Sequence, residues 1–497
     1  MVVANPDTER SIMSKHAIAA GALIALAASP APALTAQELW ADWQSLYAGM
    51  GATLSAESES YADGRLQLDG LMTTSTVGSV ESRTSLGSVG LVEQADGSVL
   101  IDLPASVRMT TETDGPDETV SQNIDIETDG WSGIVREDGV TRVYDLSADS
   151  QTYRFSDTSG EVPVQASIAL GGMQADYATT EANGTMTFDQ AVTAADVTVV
   201  ADAEGPQAFD MRYALSDVAS QASGSLDLTS EATAPTLSEM GLLFTGEITH
   251  AGSTTSLSGT AQMGPFELEA SSESGRIGFA VGEDSLGYDI ASQGGQMALR
   301  LPSVPMPVNA TLAELATTVT LPKGVSDQPK PLGLSMTLRD LAIDDQIWAM
   351  FDPTGQLPRE PATVVIDLDG AALMKADIFG DPEAMMALGG PPGELRSLEL
   401  AELLVSLAGA ELTGDGAVTF RNGGPVPQPV GTVTLNLTGG FALMDALVAL
   451  GFIPAEQAAF VRGMSGMVAE TVGEDALRSV IEFTETGGIT ANGLPLR

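Results

Sequence analysis

The segment Phe209-Asp-Met211-Arg-Tyr213-Ala-Leu215 decides the fold class. Its large apolar side chains fall on alternate residues, and a two-residue period belongs to a strand with one apolar and one wet face. The same period recurs at Leu66 and Leu68, at Val99, Ile101 and Leu103, at Ile124 and Ile126, and at Ile277, Phe279 and Val281. From Thr53 to about Pro302 these short runs are broken by Gly, Asp, Asn and Ser. Asp69-Gly70, Asp96-Gly97, Asp138-Gly139 and Asn183-Gly184 read as tight turns, because these residues tolerate positive φ. The expected fold is mainly β (α+β): a long antiparallel meander sheet, curled or sandwich-like, with a few covering helices.

Outward from that stretch, Gln37–Met50 predicts a helix docked on the sheet. Leu39, Trp43, Leu46, Tyr47 and Met50 recur at three- and four-residue steps, and Thr35 with Glu38 supplies a capping box. Pro302, Pro305, Pro307, Pro322, Pro329 and Pro331 mark a seam, since proline cannot donate to a strand ladder. Within the seam Thr311–Thr318 predicts a short helix. Beyond it Leu332–Leu338 and Thr363–Asp369 read as strands, with a helical turn at Asp344–Phe351. The chain divides into residues 1–33, 34–300 (β-rich), 301–331 (the seam) and 332–497 (β-rich with covering helices). A single sheet running through the seam is favoured over a hinge, because the texture on its two sides is alike.

The C-terminal stretch predicts strands at Leu398–Leu407, Ala417–Phe420 and Thr432–Leu437, then helices at Phe441–Leu450 and Ala455–Ala469. A closing pair follows, Leu477–Thr484 and Ile489–Leu496, joined at Gly487-Gly488. The helices are the most apolar cover in the mature chain, and an alternating sheet needs cover.

At the N-terminus a short basic segment, Met13–His16, precedes the small apolar run Ala17–Ala28 and then Ala31-Pro32-Ala33. This is the pattern of a cleaved signal peptide, with Met13 as the expected start and cleavage after Ala33 or Ala36. The run is far shorter than the ~20 residues a spanning helix needs. The expected localisation is periplasmic, with no transmembrane segment in the mature chain.

Sixty-seven acidic residues against 21 basic ones give a formal charge of −46, which argues against nucleic-acid binding and against attraction to anionic lipid headgroups. Cysteine is absent, so disulfides, thiol catalysis and thiolate metal sites are excluded. Of two histidines, His16 leaves with the signal, and His250 sits at a strand end in Ile248-Thr-His250-Ala-Gly252. A lone histidine there reads as an edge residue rather than half of a triad. No GxSxG elbow, P-loop, HExxH or GxGxxG motif is present, and no catalytic, cofactor or metal residue is assigned. Glu283-Asp284 and Asp344-Asp345 are adjacent, but neighbours on a strand point to opposite faces. Asp125-Ile-Glu127-Thr-Asp129-Gly130 resembles the start of a calcium loop, yet Arg136 stands where the closing carboxylate belongs, so a strand turning at Gly130 is expected.

Twenty methionines, among them Met374, Met385, Met386, Met444, Met464 and Met467, fall in segments read as helices over the sheet. Methionine adapts to irregular apolar surfaces and equally fills ordinary cores. Phe441, Met444, Leu447 and Val448 are the residues on which a ligand groove and a dry core diverge.

The block Gln37–Ala56 (QELWADWQSLYAGMGATLSA) resembles the alphaproteobacterial DUF 2125 family of uncharacterised exported proteins. So do Gln346–Pro353 followed by Leu357–Thr363, Leu395–Leu400 through Ala410–Gly416, and the terminal Gly487–Leu496 (GGITANGLPL). The resemblance implies an exported, β-rich envelope protein of Gram-negative bacteria and carries over no catalytic residue. Two functions stand: a non-catalytic envelope protein binding lipid or another hydrophobe on one apolar sheet face, or a scaffold with a dry core whose partner is an envelope protein.

Overall fold

The computed structural model describes residues 33–77, 80–114, 119–157, 164–205, 208–228, 241–261, 264–377, 388, 390–422 and 427–496. Among these residues, 27 strands pair into one sheet, and every pairing is antiparallel. The helices are α1 (Ala36–Gly49), α2 (Asp345–Phe351), α3 (Gly440–Ala449) and α4 (Ala455–Val468). The signal-peptide reading lies outside the described residues.

The sheet is a meander of long strands whose neighbours in sequence are neighbours in space. Thr141–Asp157, Val164–Ala182, Thr185–Ala203 and Phe209–Asp227 pair in succession. Shorter strands lie end to end against the long ones: Leu243–His250 and Gly252–Ala261 both pair with Phe209–Asp227. The proline seam does not interrupt this order. Ser285–Arg300 pairs with Val308–Pro322, which pairs with Lys330–Ile343, which pairs with Ala362–Met374. Among the described residues no pairing joins the first strand, Ala52–Ser55, to the last, Leu494–Pro495, so the sheet they form is open rather than a barrel.

Residues directly opposite in antiparallel strands share a face. One such row crosses nearly the whole molecule: Val99, Val135, Tyr144, Tyr177, Gln190, Ala222, Gly246, Phe279, Tyr288, Val319, Leu334, Leu368, Leu400, Gly416, Val433, Ile481 and Ala491. At ~4.8 Å per strand it is on the order of 75 Å long. A parallel row two residues along contains Ile248, Ile277, Ile290, Met336, Ile366 and Leu403. One residue over, on the opposite face, the register reads Asp145, Asp176, Ala191, Gln221, Glu247, Gly278 and Asp289. The alternation seen in the sequence is therefore one apolar face, in register across the sheet.

Many long strands are kinked near their middles. Gly172, Asp217, Gly294 and Asp340 have φ of 59°, 48°, 63° and 56°, and the breaks at Ala251 and Glu273 fall at the same level. Register links them, from Gly171 to Asp196 to Ser216 to Gly252, and from Gln293 to Glu314 to Arg339. Irregularities of this kind bend a strand and raise its twist, so the sheet is creased along a line. Across the crease lies a second apolar row, including Ile124, Phe155, Met211, Leu257, Leu268 and Leu299.

Several expectations need correction. Thr311–Thr318 is not a helix; it lies within the strand Val308–Pro322, paired on both edges, and the sheet hydrogen bonds outweigh the helix preference of its Ala, Leu and Glu. Asp69-Gly70 is not a turn but an irregularity inside Arg65–Val77, where Gly70 at φ 63° lets the strand shift register against its neighbour. Ile489–Leu496 is two short strands, because Asn492 (φ 48°) and Gly493 (φ 77°) reverse the chain between them. Met374 is a buried strand residue, not a helical one. Met385 and Met386 lie outside the described residues.

Candidate functional site

The first helix makes the only extensive contact between a helix and the head of the sheet among the described residues. Thr35 caps it as its sequence predicts: the Glu38 N–H donates to the Thr35 hydroxyl (3.2 Å) and the Thr35 N–H donates to the Glu38 carboxylate (3.0 Å). One flank of α1 is sealed against the sheet. Ala36, Leu39 and Trp40 pack with Leu54, Leu66, Leu68, Leu91, Val99 and Val135, and burying each large side chain contributes roughly 1.5–3 kcal/mol. Leu34 joins this core, its N–H donating to the Gly97 carbonyl (3.2 Å). Trp40 was not singled out by the helical stripe, whereas Met50, which was, is 40% exposed.

The other flank of α1 overhangs a cavity of about 710 Å³. Trp43, Leu46 and Tyr47 form its roof; Leu71, Leu86, Val89, Tyr144, Leu146, Tyr177 and Met186 form its walls. The Trp43 indole N–H donates to the Tyr144 hydroxyl (3.1 Å), and the Tyr144 and Tyr177 rings lie 5.5 Å apart. Burial pushes both phenols above the ordinary tyrosine range, so both are neutral hydroxyls. The polar part of the lining is Asp42, Glu137, Arg142 and Glu181. The Arg142 guanidinium donates to Asp42 and to Glu137, at 2.8 Å each.

From this cavity the row continues through Tyr177 and then the polar or small Gln190, Ala222 and Gly246 onto open sheet. There Phe279 is 43% exposed, Leu334 42%, and Tyr288 and Ile290 38% each. At the end of the strand Lys330–Ile343, beside α2 and α3, a second cavity of about 350 Å³ is lined by Ile343, Trp348, Phe351, Leu357, Leu407, Leu443 and Leu447. The loop after α2 is locked by Asp352, whose buried carboxylate accepts the N–H groups of Gln356 (2.9 Å) and Leu357 (2.8 Å). Those backbone bonds hold its carboxyl below the usual carboxylate range.

Of the four residues on which groove and core diverge, Leu447 lines this second cavity. Its wall partner Leu443 was missed, because which flank of an all-apolar helix faces inward is a tertiary matter. Phe441 lies beneath the Arg462 guanidinium, 4.8 Å from the ring centroid. Met444 and Val448 are half-buried and belong to neither cavity. The start of α3 is capped by Asp475, which accepts the N–H groups of Phe441 and Ala442 at 2.9 Å each. Whereas most of α3 is half-buried, α4 is largely exposed: only Ala458 is buried, while Phe460 (67%), Met464 and Met467 face solvent.

His250 ends the strand Leu243–His250 with its ring against Gly275. Burial lowers its imidazole below the ordinary histidine range, and its Nδ1 has no partner among the described residues. Asp125 and Glu127 lie on the strand Thr119–Asp129 and are engaged by Arg108 (2.6 Å) and Arg154 (2.8 Å), with Gly130 turning the chain at φ 65°. Among the described residues no helix is long and apolar enough to cross a membrane. No family model matches the chain, and no curated protein and no solved structure is found to be similar to it.

Proposed function

We propose that this is a non-catalytic exported protein that binds lipid or a comparable hydrophobe along its apolar sheet face, with the cavity under α1 as the enclosed end of the path. One observation carries the reading: large side chains in register on that face, from Phe279 and Tyr288 to Leu334, stay near 40% exposed, with no element covering them among the described residues. A face of that extent is unusual in a protein with nothing to place on it. The export signal and the likeness to the DUF 2125 blocks support an envelope setting. Of the two cleavage sites, the one after Ala33 suits the fold, since it spares Leu34 and the Thr35 cap. Lipid extraction and mass spectrometry of protein purified from the periplasm test the proposal. A reproducible acyl-chain species is expected, and protein that repeatedly emerges free of lipid would sink it.

A second reading, an interaction scaffold of the envelope, is favoured by α4, whose Phe460, Val461, Met464 and Met467 project from the body. Crosslinking in cells with a photoreactive residue at Phe460 should then give one discrete protein adduct, and a smear or none would count against it.

A further inference from the structure

The cavity under α1 has a chemical bias that the open face lacks. Four aromatic side chains, Trp43, Tyr47, Tyr144 and Tyr177, line it. Three carboxylates, Asp42, Glu137 and Glu181, share it with a single guanidinium. The Arg142 charge is already taken up by Asp42 and Glu137, so it offers little to an incoming anion. Glu181 is exposed and has no cation bonded to it among the described residues. Aromatic faces and free carboxylate together are the surroundings that attract an ammonium group, through the ring quadrupole and through charge. A carboxylate head would meet the reverse.

We propose that this cavity selects amphiphiles with an ammonium head and rejects free fatty acids of the same chain length. The inference rests on the hydrophobe-binding reading above and narrows it to a ligand class. The apolar chain lies against Leu71, Leu86 and Met186, and the head stays beside Tyr177 and Glu181 at the edge.

The test uses the full mature chain, stripped of lipid, with the uncharged dye N-phenylnaphthylamine as reporter. Dodecyltrimethylammonium and dodecanoate are compared as competitors, below micelle formation and at low salt. The ammonium is expected to displace the dye at ~10-fold lower concentration, a difference of about 1.4 kcal/mol. Glu181→Gln and Tyr177→Leu should each narrow that gap several-fold, read as the ratio of the two competitors' displacement midpoints within each variant. No dye uptake at all would overturn the hydrophobe-binding reading itself. Uptake with equal displacement by the two competitors would overturn the head-group inference alone. A gap that neither substitution changes would trace the preference to the net charge of the whole chain and overturn the assignment to this cavity.

Discussion

Val99 and Val135 are wholly buried, whereas Phe279 and Leu334, farther along the same in-register row, are 43% and 42% exposed. Both regions are antiparallel sheet with apolar residues on alternate positions. The first has α1 pressed against it, and the second has no cover among the described residues. The same local pattern thus gives a dry core or an open face according to cover supplied from elsewhere, because burial requires two surfaces and a strand brings only one. On the reading proposed above, the uncovered part and the cavity beside it take the hydrophobe, and the sealed part supplies stability.

Five substitutions probe that division. Leu91→Ala, under α1, should cost about 2–5 kcal/mol in urea unfolding, whereas Leu334→Ala on the open face should cost under about 1 kcal/mol. Equal losses would mean that the open face is packed in solution. Phe279→Asp should leave the circular dichroism spectrum unchanged and lower co-purified hydrophobe several-fold; unfolding of this variant would erase the contrast. Thr35→Ala should cost about 1 kcal/mol by removing the cap of the covering helix. Its effect should fade in acid: the Thr35 hydroxyl and N–H hold the Glu38 carboxyl below its ordinary 4.5, so the stabilisation is complete above that value and is lost as pH falls through the lowered one. The smallest effect is expected at Asp352. Its carboxyl is likewise held below 3.8, so the amides of Gln356 and Leu357 should stay protected in hydrogen exchange at pH 5 and open only below about pH 4. Protection that persists unchanged in Asp352→Ala would show that the loop is held by other contacts.

Much of this fold is legible in the chain. The alternation at Phe209–Leu215 belongs to the strand Phe209–Asp227, and the capping box at Thr35 and Glu38 forms as written. Asn183-Gly184 makes the hairpin between two long strands, with both residues at positive φ. The helices at Asp345–Phe351, Gly440–Ala449 and Ala455–Val468 fall within a residue or two of their expected places. Errors arose where one local signal serves two structures. Asp69-Gly70 carries the chemistry of a turn, and the sheet uses it for a mid-strand irregularity that needs the same positive φ. Thr311–Thr318 contains good helix formers, yet strands waiting on both sides override them.

The candidate site was less legible. Tyr144 and Tyr177 are 33 positions apart and Trp43 is 101 positions from Tyr144, joined only by strand register and by the seating of α1. Leu443 and Met444 are equally apolar, and only the docking of α3 decides that the first lines a cavity.

By itself the sequence determined the fold class, the two faces of the sheet and the caps and turns, because those depend on residue period and local backbone preference. The tertiary structure alone decided which apolar residues are core and which are open surface, where the cavities lie, and which carboxylates are already paired. Those outcomes depend on contacts between segments far apart in the chain, and no local pattern encodes how one covers another.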